Sequence, residues 1–280
     1  MAARALTKVM KAVRIHRFGG PEVLTVERDV PIPQPKDTEQ GDKVYSIFSL
    51  SGTYAKYYVS EEKYVFHLHD SVDYHQGAAI GIPYYTAYRA LAIRCKAKAG
   101  QSVLVHGASG AVGLASCQIG QALGLKVIGT AGTDQGLDLI KKNGAQSAFN
   151  HKEGGYIDKI KEATGGVDII LEMLADVNLA MDCQLCKYHG KIAVIGSRAS
   201  LDFAPRLLMA SEVEVYGVAL QSSSEKEMRE MESYLYRCQE LGLLKPVVGK
   251  VYPLEDASEA HRNVIDHSGG SHGKIILTTS

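Results

Sequence analysis

Residues 102–113, S-V-L-V-H-G-A-S-G-A-V-G, decide how this chain folds. The β-prone run Val103–Val105 leads into Gly107, Gly110 and Gly113 at G-x-x-G-x-x-G spacing, and a helical pattern opens directly behind it, Ala111 to Leu123. Strand, glycine turn and helix in that order suit a dinucleotide pyrophosphate. Glycine lets the backbone turn tightly and approach the phosphates, and the helix N-terminus offers free N–H groups and the positive end of a dipole. Glycines alone also serve ordinary turns, so the flanking strand and helix carry the assignment.

The next strand bears on the choice of cofactor. An NAD-selective site usually ends its second strand on Asp or Glu, which grips the ribose 2′-OH. Here Lys126–Thr130 runs into Ala131, Gly132 and Thr133, small and neutral. That leaves room for a 2′-phosphate and removes the charge that would repel it, which favours NADP. Asp134 reads as a helix cap together with Thr133. His151 and Lys152 are the candidate partners of the phosphate, although surface positions are their simpler reading.

Away from this motif the pattern changes in both directions. Residues 1 to about 70 are β-rich, with strands expected at Val9–Ile15, Val23–Val26, Lys43–Phe48 and Tyr54–Val59, and with Pro31, Pro33 and Pro35 between them. From Ser102 strands and helices alternate. Strands are expected at 103–106, 126–130, 147–149, 167–171, 191–195 and 213–218, and helices at 111–123, 134–142, 155–163, 176–188 and 225–241. The fold class is therefore α/β, a doubly wound parallel Rossmann sheet with a separate β-rich domain. A last strand, Lys274–Leu277, closes the chain.

Composition narrows the function. The 280 residues carry 31 Lys plus Arg against 31 Asp plus Glu, so no long-range field draws the protein to nucleic acid or an anionic membrane. No apolar run reaches bilayer-spanning length, and the N-terminal stretch lacks the apolar block of a signal peptide. Five cysteines without framework spacing point to reduced thiols and a cytoplasmic location.

Further residues carry a resemblance. F-G-G-P-E-V-L (18–24), G-A-A-I-G-I-P-Y-Y-T-A-Y-R-A-L (77–91), L-V-H-G-A-S-G-A-V-G-L-A (104–115), N-H-K-E (150–153), D-I-I-L-E-M-L-A-D-V-N-L (168–179), V-I-G-S-R (194–198) and G-K-I-I-L (273–277) together resemble the zeta-crystallin-like quinone oxidoreductase branch of the medium-chain dehydrogenases/reductases. The resemblance covers nearly the whole chain. It implies a GroES-like substrate domain over 1–78 and 219–280, wrapped around an NADPH-binding Rossmann domain at 79–218. It implies metal-independent reduction of a quinone by NADPH in a dimer or tetramer, for which the last Rossmann strand, Glu214–Val218, offers an edge for pairing. Ser109, Gly110, Ala111 and Val112 would meet the pyrophosphate, and Gly132 and His151 the adenosine phosphate side. Asn178 with Ile195, Gly196, Ser197 and Arg198 would line the rest of the groove, and Val218, Ala219 and Leu220 would approach the nicotinamide.

The chain departs from the family at one junction. After Lys36-Asp37 it passes through Thr38, Glu39 and Gln40 directly to Gly41-Asp42-Lys43-Val44. The family has a much longer stretch there, so roughly fifty residues, a large part of an ordinary domain, are expected to be missing, including a cleft tyrosine. No catalytic residue is therefore named. Such a loss would expose strand edges and keeps open a catalytically weak NADPH-binding protein of crystallin or AU-rich-RNA-binding type, although no basic, aromatic-interleaved patch supports RNA. An NADPH-dependent alkenal or enoyl reductase would use the same groove.

Other chemistries fit less well. Cys183-x-x-Cys186 lacks a second pair and reads as two buried thiols on one helix face. His67 and His69 read as solvated, and Ser109 lacks a G-x-S-x-G elbow. Tyr156-x-x-Lys159 has the wrong spacing for a short-chain dehydrogenase pair. Tyr84, Tyr85 and Tyr88 read as packing between domains on a helix capped near Ser71.

Overall fold

The computed structural model describes residues 8–34, 41–266 and 269–279. The junction at 37–41, apart from Gly41, lies outside them. The chain divides into a smaller unit, Met1–Gly81 with Val248–Ser268 and Lys274–Ser280, and a larger one, Ile82–Val247 with Gly269–Gly273.

The smaller unit contains β1 (Val9–Arg14), β2 (Thr25–Pro31), β3 (Val44–Ser46), β4 (Val65–His67) and the first part of α1 (Tyr74–Tyr88). β1–β2 and β3–β4 are separate antiparallel pairs. Late in the chain, the strands Val248–Pro253 and Lys274–Thr278 form a parallel pair, and helix Ala257–Asp266 lies between them in sequence. Tyr54–Val59, expected as a strand, is a loop. Only Ala55 makes a bridge, to Ala12, and Leu50 donates to the Val59 carbonyl at 2.8 Å, which turns the segment back on itself. α1 is capped at Asp73 rather than near Ser71: Gln76 N–H donates to Asp73 Oδ1 (2.8 Å) and Asp73 N–H to Gln76 Oε1 (3.1 Å), a reciprocal box. His67 is exposed at the end of β4, and His69 contacts Ser71.

The larger unit is the α/β fold expected from the sequence. Its elements in chain order are β5 (Ser102–Val105), α2 (Ala111–Ala122), β6 (Lys126–Ala131), α3 (Asp134–Lys142), β7 (Ser147–Asn150), α4 (Tyr156–Thr164), β8 (Val167–Glu172), α5 (Ala175–Leu185), β9 (Cys186–Val194), α6 (Arg206–Ala210), β10 (Glu214–Gly217) and α7 (Glu225–Glu240). The six strands form one parallel sheet in the order β10-β9-β8-β5-β6-β7. Helices cover both faces, so the central strands need no polar side: Val103, Leu104, Val105, Ile169, Ile170, Leu171, Ile192 and Ala193 are all fully buried. Chain order reverses between β5 and β8, and a crevice at such a reversal is where doubly wound sheets hold ligands.

Three sequence expectations are corrected. Helix 176–188 ends at Leu185, because Cys186 turns extended and pairs with Val167, so β9 starts well before residue 191. Cys183 and Cys186 thus lie on a helix and a strand, not on one helix face. Residues 219–247, including α7, belong to the larger unit rather than to the β-rich one. Tyr84 and Tyr88 are satisfied inside the larger unit: Tyr84 donates to Gln118 Oε1 (2.8 Å) and Tyr88 to Glu230 (3.2 Å). Tyr84→Phe should cost about 1 kcal/mol in urea unfolding, because Gln118 Oε1 keeps its bond from Lys245 N–H and is not orphaned.

Candidate functional site

The glycine turn is built by three different constraints. Gly107 sits at φ +55°, a conformation that L side chains rarely adopt. Its N–H donates to Thr130 Oγ1 (3.2 Å) and Ala108 N–H to the Thr130 carbonyl (2.8 Å), which ties the turn to the end of β6. Gly110 is the N-cap of α2 and supplies no side-chain cap, so the first amides of the helix, at Ala111 and Val112, are not covered by a capping side chain. Gly113 packs on the turn itself: a Cβ there would lie 2.5 Å from Ala108 Cα and 2.6 Å from the Gly107 carbonyl oxygen. Ser109 is buried, and its carbonyl accepts from Gly273 N–H (2.9 Å).

A parallel sheet brings the other expected residues to the same edge, since all six strands end there. Along the strand order stand Val218, Ala219 and Leu220 after β10, then Ile195, Gly196, Ser197 and Arg198 after β9. Asn178 follows β8 in the first turn of α5, Ser109–Val112 follow β5, Gly132 follows β6, and His151 follows β7. Val218 N–H donates to the Val194 carbonyl (2.9 Å), joining the first two groups. Gly196 is required by crowding, because a Cβ would meet the Met173 carbonyl oxygen at 2.4 Å. Asp176 Oδ1 accepts from Ser197 Oγ (3.1 Å) and Arg198 N–H (2.8 Å), bonds that hold its carboxyl below the usual range. Thr133 caps α3 as expected, accepting from Gly136 N–H at 3.1 Å. Over Gly132 stand His151 and Lys152: a Cβ there would meet His151 Nε2 at 2.7 Å and Lys152 Cε at 2.9 Å. Desolvation, His106 and Lys152 keep the His151 imidazole below its ordinary value, so it is neutral near pH 7.

Two features were missed in the sequence. The segment Gly269–Gly273 runs against the glycine turn. Gly273 bridges Gly110, and His272 Nε2 lies 3.3 Å from Thr133 Oγ1. A buried cluster, His106, Glu172 and Asp182, also sits beneath the strand ends. His106 Nε2 is 2.8 Å from Asp182 Oδ1 and 3.6 Å from Glu172 Oε2. Donor atoms around a tetrahedral ion stand about 3.3 Å apart, so the 2.8 Å contact is a hydrogen bond. A carboxylate ending the apolar run Val167–Leu171, and a histidine directly before the glycine turn, were the available signals.

Other reactive groups are held inert. Burial pushes the Cys183 thiol up to about 11 and raises Cys186 further, so both are protonated near pH 7. Burial, with Asp182 and Glu172, pushes the Tyr156 phenol up to about 12, the opposite of what a general base requires.

A doubly wound sheet with this turn at its reversal point, in a chain with a second, β-rich unit, is the build of a medium-chain dehydrogenase/reductase. Residues 111–235 match the zinc-binding dehydrogenase family. Among solved structures, Escherichia coli quinone oxidoreductase complexed with NADPH has a TM-score of 0.82 at 23% identity, covering 95% of this chain and 99% of that one. The quinone oxidoreductase of Pseudomonas syringae pv. Tomato DC3000 gives 0.83 at 21% identity, over 96% and 99%. Human quinone oxidoreductase is 43% identical, over 96% of this chain and 98% of its own length, and the rat protein 41% over the same shares. The chain belongs to the quinone oxidoreductase family. The alignment with the human relative runs over 323 positions against a chain of 280 residues, so that relative has residues without a counterpart here.

Proposed function

We propose that this chain is an NADPH-dependent quinone reductase whose cofactor lies along the carboxyl edge of the six-stranded sheet. The observation that carries this reading is the convergence of all the expected contact residues on that one edge, in a chain of this family. The cradle fits the group. Uncapped amides at Ala111 and Val112 suit a pyrophosphate, and Gly132 under His151 and Lys152, with no carboxylate at the end of β6, suits a 2′-phosphate. Bound NADPH would supply the reducing equivalents, which a quinone accepts readily without a strong general base. The chain's own part is to hold a flat acceptor against the nicotinamide side, near Val218–Leu220, and to keep water out.

The residues that the relatives have in excess are assigned to the junction at 37–41. The remaining β-rich unit fits that assignment. Among the described residues it has only two-stranded pairs, and a groove lined by Met10, Val13, Leu24 and Val30 stays open beside β1. A second reading follows: a cofactor-binding protein with little turnover, of crystallin or RNA-binding type. β10 is an edge strand with Val215 exposed, which fits pairing into a homo-oligomer. All five cysteines are free and buried, which fits a cytoplasmic location; among the described residues no helix is long and apolar enough to cross a membrane.

Purified protein should consume NADPH, followed by absorbance, with an ortho-quinone, and should do so faster than with NADH. Binding of NADPH without turnover would leave the second reading; failure to bind it would remove both.

A further inference from the structure

The buried cluster under the groove has no part in the reading above, and its geometry is specific. Glu172 ends β8, on one side of the chain reversal, and His106 follows β5 on the other. Glu172 and Asp182 are fully buried and His106 nearly so. Glu172 Oε1 accepts from Leu174 N–H and from Asn178 Nδ2 (3.2 Å), the one site residue in the first turn of α5. Its main-chain carbonyl accepts from Ile195 N–H at 2.8 Å and from Gly196 N–H at 3.3 Å. One residue therefore touches the two neighbouring segments that line the middle of the groove.

The other side of Glu172 meets Asp182. A carboxyl oxygen of each lies within 4.8 Å of the other, and Glu172 Oε2 and Asp182 Oδ2 are both buried without a hydrogen-bond partner. Two carboxyls this close and out of water cannot both carry charge, so one of them holds a proton. Burial supplies the reason for keeping it: desolvation lifts both carboxyls well above the carboxylate range and lowers His106, which stays neutral and donates its Nε2–H to Asp182 Oδ1.

We propose that Glu172 is a positioning residue for the cofactor groove, held by a proton shared with Asp182 and by His106, and that it acts on the cofactor through Asn178. This rests on the cofactor reading given above. The titratable groups facing the pair are Tyr156 of α4, Cys183 of α5 and Cys186 at the start of β9, and His151 after β7 faces His106. Loss of the shared proton would set two buried carboxylates against each other and loosen the contact to Asn178, so affinity should fall as pH rises.

The test is NADPH affinity by fluorescence titration, with thermal unfolding alongside. Glu172→Ala and Asn178→Ala should each weaken binding about tenfold, and the double variant no further, because the two act through one contact. Between about pH 7 and 9 the wild-type protein should weaken roughly threefold. Glu172→Gln, whose amide donates to Asp182 while its oxygen still accepts from Leu174 and Asn178, should bind like wild type within about twofold and show no such slope. Wild-type affinity in Glu172→Ala, additive losses in the double variant, or a Glu172→Gln that keeps the slope would overturn the proposal. If Glu172→Ala does not fold, Glu172→Gln and its pH profile decide. Wild-type protein that binds no NADPH would instead overturn the cofactor reading itself.

Discussion

Gly113→Val is expected to abolish nucleotide binding and to cost roughly 3 kcal/mol of stability, the largest effect of any single change at the site. The Cβ would fall 2.5 Å from Ala108 Cα and 2.6 Å from the Gly107 carbonyl oxygen, both backbone atoms of the turn. No side chain can rotate away, so either α2 lifts from β5 or the turn opens. Both outcomes displace the amides of Ala111 and Val112. Gly107→Ala is the informative comparison. Nothing lies within 4 Å of its Cβ position, so it meets only the strain of φ +55°, about 1–2 kcal/mol. Urea unfolding and NADPH titration of both variants check this. A Gly113→Val protein with wild-type stability and affinity would show that the helix does not need this close approach.

Glu227→Ala should cost about 2–3 kcal/mol, more than its surface position suggests. Glu227 completes the capping box of α7: its carboxylate accepts from Ser224 N–H (2.8 Å), and Ser224 Oγ accepts from Glu227 N–H (3.2 Å). It also stands 2.9 Å from Nη1 of Arg89, whose side chain is only 7% exposed within the π-helical turn Arg89–Arg94. Removing the carboxylate leaves that guanidinium buried without its counter-charge. The estimate sits below the range for a fully buried pair because Glu227 is a quarter exposed and partly screened. Desolvation alone would raise the Glu227 carboxyl, but Ser224 N–H and Arg89 outweigh it and hold it below its ordinary 4.5. Its stabilisation is therefore complete above that value and lost as pH falls through the lower folded value. The gap between wild type and Glu227→Ala should close on acidification below about pH 4, measured by urea unfolding across that range. A gap that stays constant with pH would mean that packing, not charge, is what Glu227 contributes.

The larger unit was legible because its signals are local. An apolar run covered on both faces, a glycine turn and a 3.6-residue period each act over a few residues, and β5 to β8 fall within a residue or so of their expected limits. Where the reading failed, a partner distant in sequence had decided. Cys186 left its helix because Val167 offered a ladder position, and Tyr54–Val59 stayed a loop because only Ala55 found one. The residues at the edge could be named from their motifs, and parallel pairing explains why they meet there, since every strand of such a sheet ends on one side.

What the sequence determined by itself is the α/β class, the glycine turn, the family and the absence of a carboxylate after β6, all written in contiguous residues. That α7 packs with the nucleotide unit, that Gly269–Gly273 returns to the turn, and that His106, Glu172 and Asp182 meet out of water depends on contacts made in the folded chain alone. The reason is physical. A buried polar group is stable only beside a partner, and these partners come from strands and helices up to 76 residues apart, as His106 and Asp182 do.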